Sequence, residues 1–156
     1  MKRDRKAELD LESLPGYYIR RLQQIAVAIF LQETEKHGVT PVQFAALHKV
    51  GITPGIDQRT LARSIGLDTS TIAGVVDRLE ARGMMQRKAS PEDRRVRLLS
   101  LTDGGQNLLR AVGPDMLKAQ QRILQPLPAA ERDEFMRMLR KLVDANNELS
   151  RAPSEA

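Results

Sequence analysis

Residues 57–105 read DQRTLARSIGLDTSTIAGVVDRLEARGMMQRKASPEDRRVRLLSLTDGG, and the reading of this stretch decides the fold. Asp57 is placed to N-cap a helix carrying Leu61, Ala62 and Ile65. Gly66 stops that helix, since glycine enters the left-handed region without a steric penalty. Asp68 then caps a second helix almost at once. Within it Ile72, Val75, Val76 and Leu79 recur at i, i+3, i+4 and i+7 and make one apolar face, and Gly83 closes it. The opposite face carries Thr69, Ser70, Thr71, Gly74, Asp77 and Arg78. Two short helices joined by a tight turn, the second with a polar leading end, form the helix-turn-helix pattern, which lays its second helix in the major groove of DNA. A helical hairpin with a solvated outer face shows the same pattern, so the two helices alone leave both readings open.

The next residues of the chain separate the two readings. Met84–Arg87 and Val96–Leu101 are short strand-like runs, and Ala89-Ser90-Pro91-Glu92-Asp93 between them is turn chemistry, which predicts a hairpin, or wing. Its flanks and tip carry Arg87, Lys88, Arg94, Arg95 and Arg97. So many cations on one small hairpin point to phosphate or minor-groove contact rather than to a solvated surface.

Outward from this stretch the chain is helical. Thr102 is placed to cap a helix over about 103–125 that carries Leu109, Val112, Met116, Ala119 and Ile123. Pro114 within it is expected to bend the helix or to cost a backbone hydrogen bond. Leu127-Pro128 opens a last helix with Phe135, Met138, Leu139, Leu142, Val143 and Leu149. On the N-terminal side, Thr40-Pro41-Val42-Gln43 is a capping-box arrangement that starts a helix running to about Val50, with Phe44, Leu47 and His48 near its inner face and residues 51–55 as a loop. Residues 14–37 form a first helix in which Tyr18, Leu22, Ile25 and Ile29 make one stripe and Ala26, Val27 and Phe30 widen it. Long terminal helices with such spacing, and a first helix apolar on two sides, predict a helical dimer interface; intramolecular packing alone is the alternative.

Composition bounds the function. At 156 residues the chain is of single-domain size, and with no cysteine it has no thiol redox sensor, thiolate metal site or disulfide framework. No apolar run resembles a signal sequence or a membrane span, so a soluble, cytoplasmic protein is expected. The net charge of +5 is unevenly placed: residues 57–102 hold nine Arg or Lys against six Asp or Glu, while residues 1–13 and 103–156 are balanced. A DNA footprint on the middle of the chain fits this better than a membrane-binding tail. Enzyme chemistry has no support: there is no glycine-rich phosphate loop, no Ser-His-Asp set and no carboxylate motif. No cofactor is expected. The domain reading is a mobile segment 1–13, one domain over 14–150 with a reading head at 40–101 and dimerisation helices at 14–37 and 103–150, and a mobile tail 151–156.

Asp93-Arg94-Arg95, five residues, then Leu101-Thr102-Asp103-Gly104-Gly105 match the D-x-R-x5-L-T-x-x-G signature of the MarR family of winged helix-turn-helix regulators. Residues 67–71 and 76–83 also resemble that family's recognition helix. The resemblance spans about Leu14 to Leu149, with six helices and the wing between the fourth and fifth. It implies a mainly α fold with a small β-wing, and a homodimer in which the first helix and the last two interlock. By the match, Arg95 is the wing-tip arginine that enters the minor groove, with Asp93 holding its guanidinium. Thr69, Ser70 and Thr71 match the recognition-helix start, and Arg78 contacts phosphate or makes an internal ion pair. Gly74 stands where many members carry a long polar side chain. Specificity then leans on the helix N-terminus, the wing and DNA shape; close packing of the Gly74 backbone is the other reading.

Similar proteins bind a small anionic or aromatic ligand between the dimer helices and the reading head. Tyr17, Tyr18, Arg20 and Arg21 on the first helix, with Phe44 and His48 on the second, offer aromatic walls and a cationic clamp for a carboxylate or for the phosphates of an acyl-CoA thioester. Interfacial tyrosines and solvated arginines are the alternative. Glu33 lies one turn before His37, but the two histidines are too few and too far apart for a metal site by themselves. The expected partners are therefore double-stranded DNA with a pseudo-palindromic operator, a second copy of the chain and a small effector, with no membrane. The competing function is an architectural protein that binds DNA with little sequence preference and no effector.

Overall fold

The computed structural model describes residues 9–150. Asp10 caps a short 3-10 turn at Leu11–Ser13, and the expectations for residues 1–8 and for the tail 151–156 lie outside the described residues. Six α-helices follow, with a small sheet. They are α1 (Pro15–Thr34), α2 (Pro41–Ile52), α3 (Gln58–Ser64), α4 (Thr69–Ala81), α5 (Asp103–Leu124) and α6 (Ala129–Ala145), and the strands are β1 (Ile56–Asp57), β2 (Met85–Ala89) and β3 (Arg97–Leu101).

The local chemistry starts the helices where the sequence predicts, although α1 ends at Thr34 and α6 at Ala145, short of Leu149. Thr40 and Gln43 close a reciprocal capping box on α2, with Thr40 Oγ1 accepting from the Gln43 N–H at 3.1 Å and Gln43 Oε1 accepting from the Thr40 N–H at 3.2 Å. Asp57, Asp68 and Thr102 each accept from the N–H three residues on and cap α3, α4 and α5. Gly66 and Gly83 take positive φ where the chain leaves α3 and α4.

The core of α2 to β3 closes around Leu47, Leu61, Ile72, Val76, Leu79, Met85 and Leu99, all fully buried. The sheet is antiparallel in the order β1-β3-β2, with Ile56 opposite Leu99 and Met85 opposite Leu101. The sequence predicts only the β2–β3 hairpin. β1 is too short for any alternation to show, and its strand character comes from pairing with β3 some forty residues later. The hairpin is also shifted: Met84 and Val96 lie outside the strands, while Lys88 and Ala89 lie inside.

Two further expectations are corrected. Gly51 and Ile52 belong to α2 rather than to a loop: the Thr53 N–H closes the last turn on the Lys49 carbonyl at 3.0 Å, and Gly51 leaves room for Leu101 and Leu109, since a Cβ there would lie 3.0 Å from Leu109. His48 is exposed rather than on the inner face, although Phe44, stacked on its ring, is partly buried. α5 runs unbroken from Asp103 to Leu124 with Pro114 inside it.

α1 and α5 pack along each other and are tied at one end by ions. Glu33 receives Arg122 at 2.6 Å and Lys118 at 3.1 Å, and Asp115 receives His37 Nε2 at 2.8 Å and Lys36 at 3.0 Å. α6 buries none of its residues fully. Phe135, Met138, Leu139 and Leu142 instead face Tyr18, Ile19, Leu22 and Ile25 of α1 across an apolar groove of about 670 Å³. Much of this surface stays in water in the single chain, with Ile19 60% and Leu142 57% exposed.

Candidate nucleic-acid interface

The leading end of α4 is ordered by its own cap. Asp68 Oδ1 accepts the Thr71 N–H at 2.7 Å and the Ser70 hydroxyl at 2.9 Å, so the first turn is fixed before any ligand arrives. Thr69, Ser70 and Thr71 are all exposed there. Gly74 has no neighbouring backbone against it. The one side chain near the position of an added Cβ is Arg78, whose Nη1 would lie 3.8 Å away. Arg78 is exposed and reaches back over this glycine, one helical turn earlier.

At the wing, Asp93 grips Arg95 three times. Its Oδ1 accepts the Arg95 N–H at 3.0 Å and Nε at 3.1 Å, and its Oδ2 accepts Nη2 at 3.1 Å. These bonds, the side-chain ones foremost, hold the Asp93 carboxyl below the usual carboxylate range. The guanidinium so fixed is still 91% exposed. It is a pre-ordered cation aimed into solvent, the arrangement that a phosphate or minor-groove contact requires. Lys88, Arg94 and Arg97 are exposed beside it.

Arg87 is placed differently. Its Nη2 reaches Asp77 at 2.6 Å and Glu80 at 3.2 Å, and its N–H donates to Glu80 Oε2 at 3.1 Å. The Arg87 side chain lowers the Glu80 carboxyl in turn. Two carboxylates offset its charge, so Arg87 fastens the base of the wing to α4 rather than standing as a free cation.

One concavity of about 700 Å³ joins these parts. Thr69 and Ile72 of α4, Asp93 and Arg95 of the wing, and Arg59, Thr60 and Arg63 of α3 line it. The structure thus brings Thr69 and Arg95 onto one surface and adds α3 side chains that are not among the sequence-predicted site residues. A signal for them is present in the chain: Arg59 and Arg63 stand at i and i+4 on the outer face of a seven-residue helix.

The predicted effector residues fall into two groups. Tyr17 and Tyr18 meet edge to face at 5.1 Å, Arg21 donates to the Tyr17 hydroxyl at 2.9 Å, and the Arg20 guanidinium lies 5.8 Å from the Tyr17 ring. Phe44 packs on Phe30 at 6.3 Å and on His48 at 6.0 Å. Tyr17 precedes Phe30 by thirteen residues of one straight helix, which separates the two groups by roughly 20 Å along its axis. A single chain therefore does not assemble the predicted set. The Glu33 and His37 side chains are engaged by α5, and among the described residues no group of three His, Cys, Asp or Glu could hold a metal ion.

Fold and surface together define a winged helix-turn-helix protein that binds DNA. A family model for MarR matches residues 39–96. The HTH-type transcriptional repressor NicR of Pseudomonas putida is 31% identical, over 88% of this chain and 87% of that protein. The PcaV transcriptional regulator of Streptomyces coelicolor, solved with its natural ligand, is 38% identical with a TM-score of 0.80, over 89% of this chain and 98% of that one. BpsR of Bordetella bronchiseptica, whose DNA binding is regulated by 6-hydroxynicotinic acid, is 31% identical with a TM-score of 0.76, over 81% and 96%. The chain belongs to the MarR family of transcriptional regulators. Among the described residues no helix is long and apolar enough to cross a membrane.

Proposed function

We propose that this chain is a repressor that binds a pseudo-palindromic operator as a homodimer and leaves it when a small aromatic or anionic effector binds, an aromatic carboxylate or an acyl-CoA thioester. The observation that carries the DNA reading is Arg95, exposed at the wing tip yet fixed by three hydrogen bonds to Asp93, on one concave surface with the start of α4. In this reading Thr69, Ser70 and Thr71 meet phosphates and base edges, Arg95 enters the minor groove, and Lys88, Arg94 and Arg78 contact the backbone. Arg87 shapes the wing.

The reading head takes residues 40–101, and residues 14–37 and 103–150 pair two copies. The half-exposed apolar surface of α1 and α6 supports that pairing, since a monomer seldom leaves so much contiguous apolar surface in water. Pairing also gives the separated Tyr17 and Phe44 groups a way to meet, one from each copy. The effector class is supported by the relatives: BpsR answers to an aromatic acid, and PcaV was solved with a ligand bound.

The test is binding of the full chain to its own upstream DNA against scrambled DNA, titrated with aromatic acids and their CoA thioesters. Selective binding that one ligand abolishes is the expected result. Equal binding to both DNAs, unmoved by every ligand, would establish the architectural alternative. Arg95→Ala is expected to weaken all binding and to reduce the salt slope by about one; unchanged affinity in that variant refutes the wing assignment.

A further inference from the structure

Arg82 closes α4 at the end away from the proposed DNA face, about 20 Å along the helix from the Asp68 cap. Among the described residues its guanidinium meets no carboxylate. Nη1 donates to the Gly38 carbonyl at 2.8 Å and Nη2 to the His37 carbonyl at 3.2 Å. Those carbonyls belong to the turn that ends the first helical segment, where the 3-10 extension Glu35–His37 stops at Gly38 in the left-handed conformation. Carbonyls at a helix C-terminus lack intrahelical partners and carry the negative end of the helix dipole, so a guanidinium fork suits them. The same turn is bound from its other side: the His37 ring meets Asp115 of α5 at 2.8 Å, and Lys36 meets the same carboxylate at 3.0 Å.

We propose that Arg82 is a positioning residue for DNA reading, which locks the rear of the recognition helix to the α1 terminus and, through His37 and Asp115, to α5. The inference rests on the regulator reading above and assigns the spacing of the two reading heads to a named contact. A helix held at the rear by two directional bonds transmits the placement of α1 and α5 to its leading end. Released there, it pivots on its apolar face at Ile72, Val76 and Leu79, and the first-turn hydroxyls move most. Paired half-sites about 34 Å apart tolerate little such drift.

The experiment uses the full-length protein with Glu92→Cys as a spin-label site at the wing, which is clean because the chain has no cysteine of its own. Wing-to-wing distances without DNA, and affinity for the upstream DNA over a salt series, are measured for wild type, Arg82→Gln, Arg82→Lys and Asp115→Ala. Arg82→Gln is expected to broaden the distance distribution and to lose roughly tenfold in affinity at unchanged salt slope. Arg82→Lys, with an ammonium that reaches one carbonyl, recovers part of both. Asp115→Ala, cutting the link on its far side, broadens the same distribution. A wild-type distance distribution in Arg82→Gln overturns the proposal, and so does a salt slope reduced by one, which would make Arg82 a phosphate contact. The distances are taken without DNA, so they decide the clamp even if wild type shows no preference for its own upstream DNA; that outcome would overturn the regulator reading instead.

Discussion

Gly105 offers a sharp quantitative test of how the wing is set against α5. It is buried in the first turn of α5, and a Cβ built on it would fall far inside the van der Waals contact distance of the Met84 carbonyl oxygen and 2.9 Å from the carbonyl carbon. Backbone cannot swing aside as a side-chain tip can, so in Gly105→Ala the start of α5 has to move from β2 by on the order of 1 Å. That motion strains two bonds at the junction, Thr102 N–H to Met84 O at 3.2 Å and the Thr102 hydroxyl to Gly83 O at 2.5 Å. Overpacking costs about 1–3 kcal/mol and each weakened bond about 1 kcal/mol, against a helix-propensity gain of about 1 kcal/mol for alanine over glycine. The net expectation is a loss of about 2–4 kcal/mol, or roughly 5–15 °C in Tm for a chain of this size. Equilibrium urea unfolding at fixed protein concentration measures it, with Gly104→Ala as the control. The nearest atom to a Cβ at Gly104 is Gly83 O at 3.4 Å, an ordinary contact, so that variant should stay within about 1 kcal/mol of wild type. A Gly105→Ala protein as stable as the control would refute the packing argument.

Gly113→Ala, in the middle of α5 with nothing within 4 Å of the added methyl, is expected to gain up to about 1 kcal/mol in the same urea assay, despite the neighbouring Pro114. Arg87→Ala frees Asp77 and Glu80 beside the proposed DNA face of α4; it should lower DNA affinity through wing mobility and two unpaired carboxylates, and the Asp77→Asn/Glu80→Gln background should recover part of the loss in an anisotropy titration. On acidification, Asp115, held low by His37 and Lys36, and Glu33, held low by Arg122 and Lys118, have folded pKa values below their unfolded ones. Their contribution is therefore full above the unfolded values, about 4, and is lost as pH falls through the lowered folded values. Thermal melts should be flat in this respect from pH 7 to 5 and fall below about pH 4; a loss complete by pH 5 would contradict it.

Much of the molecule is legible in the chain because its signals are local. Asp57, Asp68, Thr102 and the Thr40–Gln43 pair announce helix starts through atoms three residues apart, and Ile72, Val75, Val76 and Leu79 announce a buried face through one helix's own period. Asp93 and Arg95 are two residues apart, so even the gripped arginine of the wing is readable from its motif. What only the tertiary structure decided depends on residues distant in sequence. β1 exists because Leu98 and Leu99 return to pair with it, and the room Gly51 leaves is used by Leu101 and Leu109, which pack where a side chain would be. Arg87 reads in the chain as one more wing cation, and it is the fold that brings Asp77 and Glu80 against it; Arg82 gains its carbonyl partners from a turn more than forty residues earlier. Tyr17 and Phe44 read as one site and are held apart by the length of α1. Capping and periodicity are fixed by covalent neighbours, whereas the partner of a charged side chain is set by which elements the core brings together.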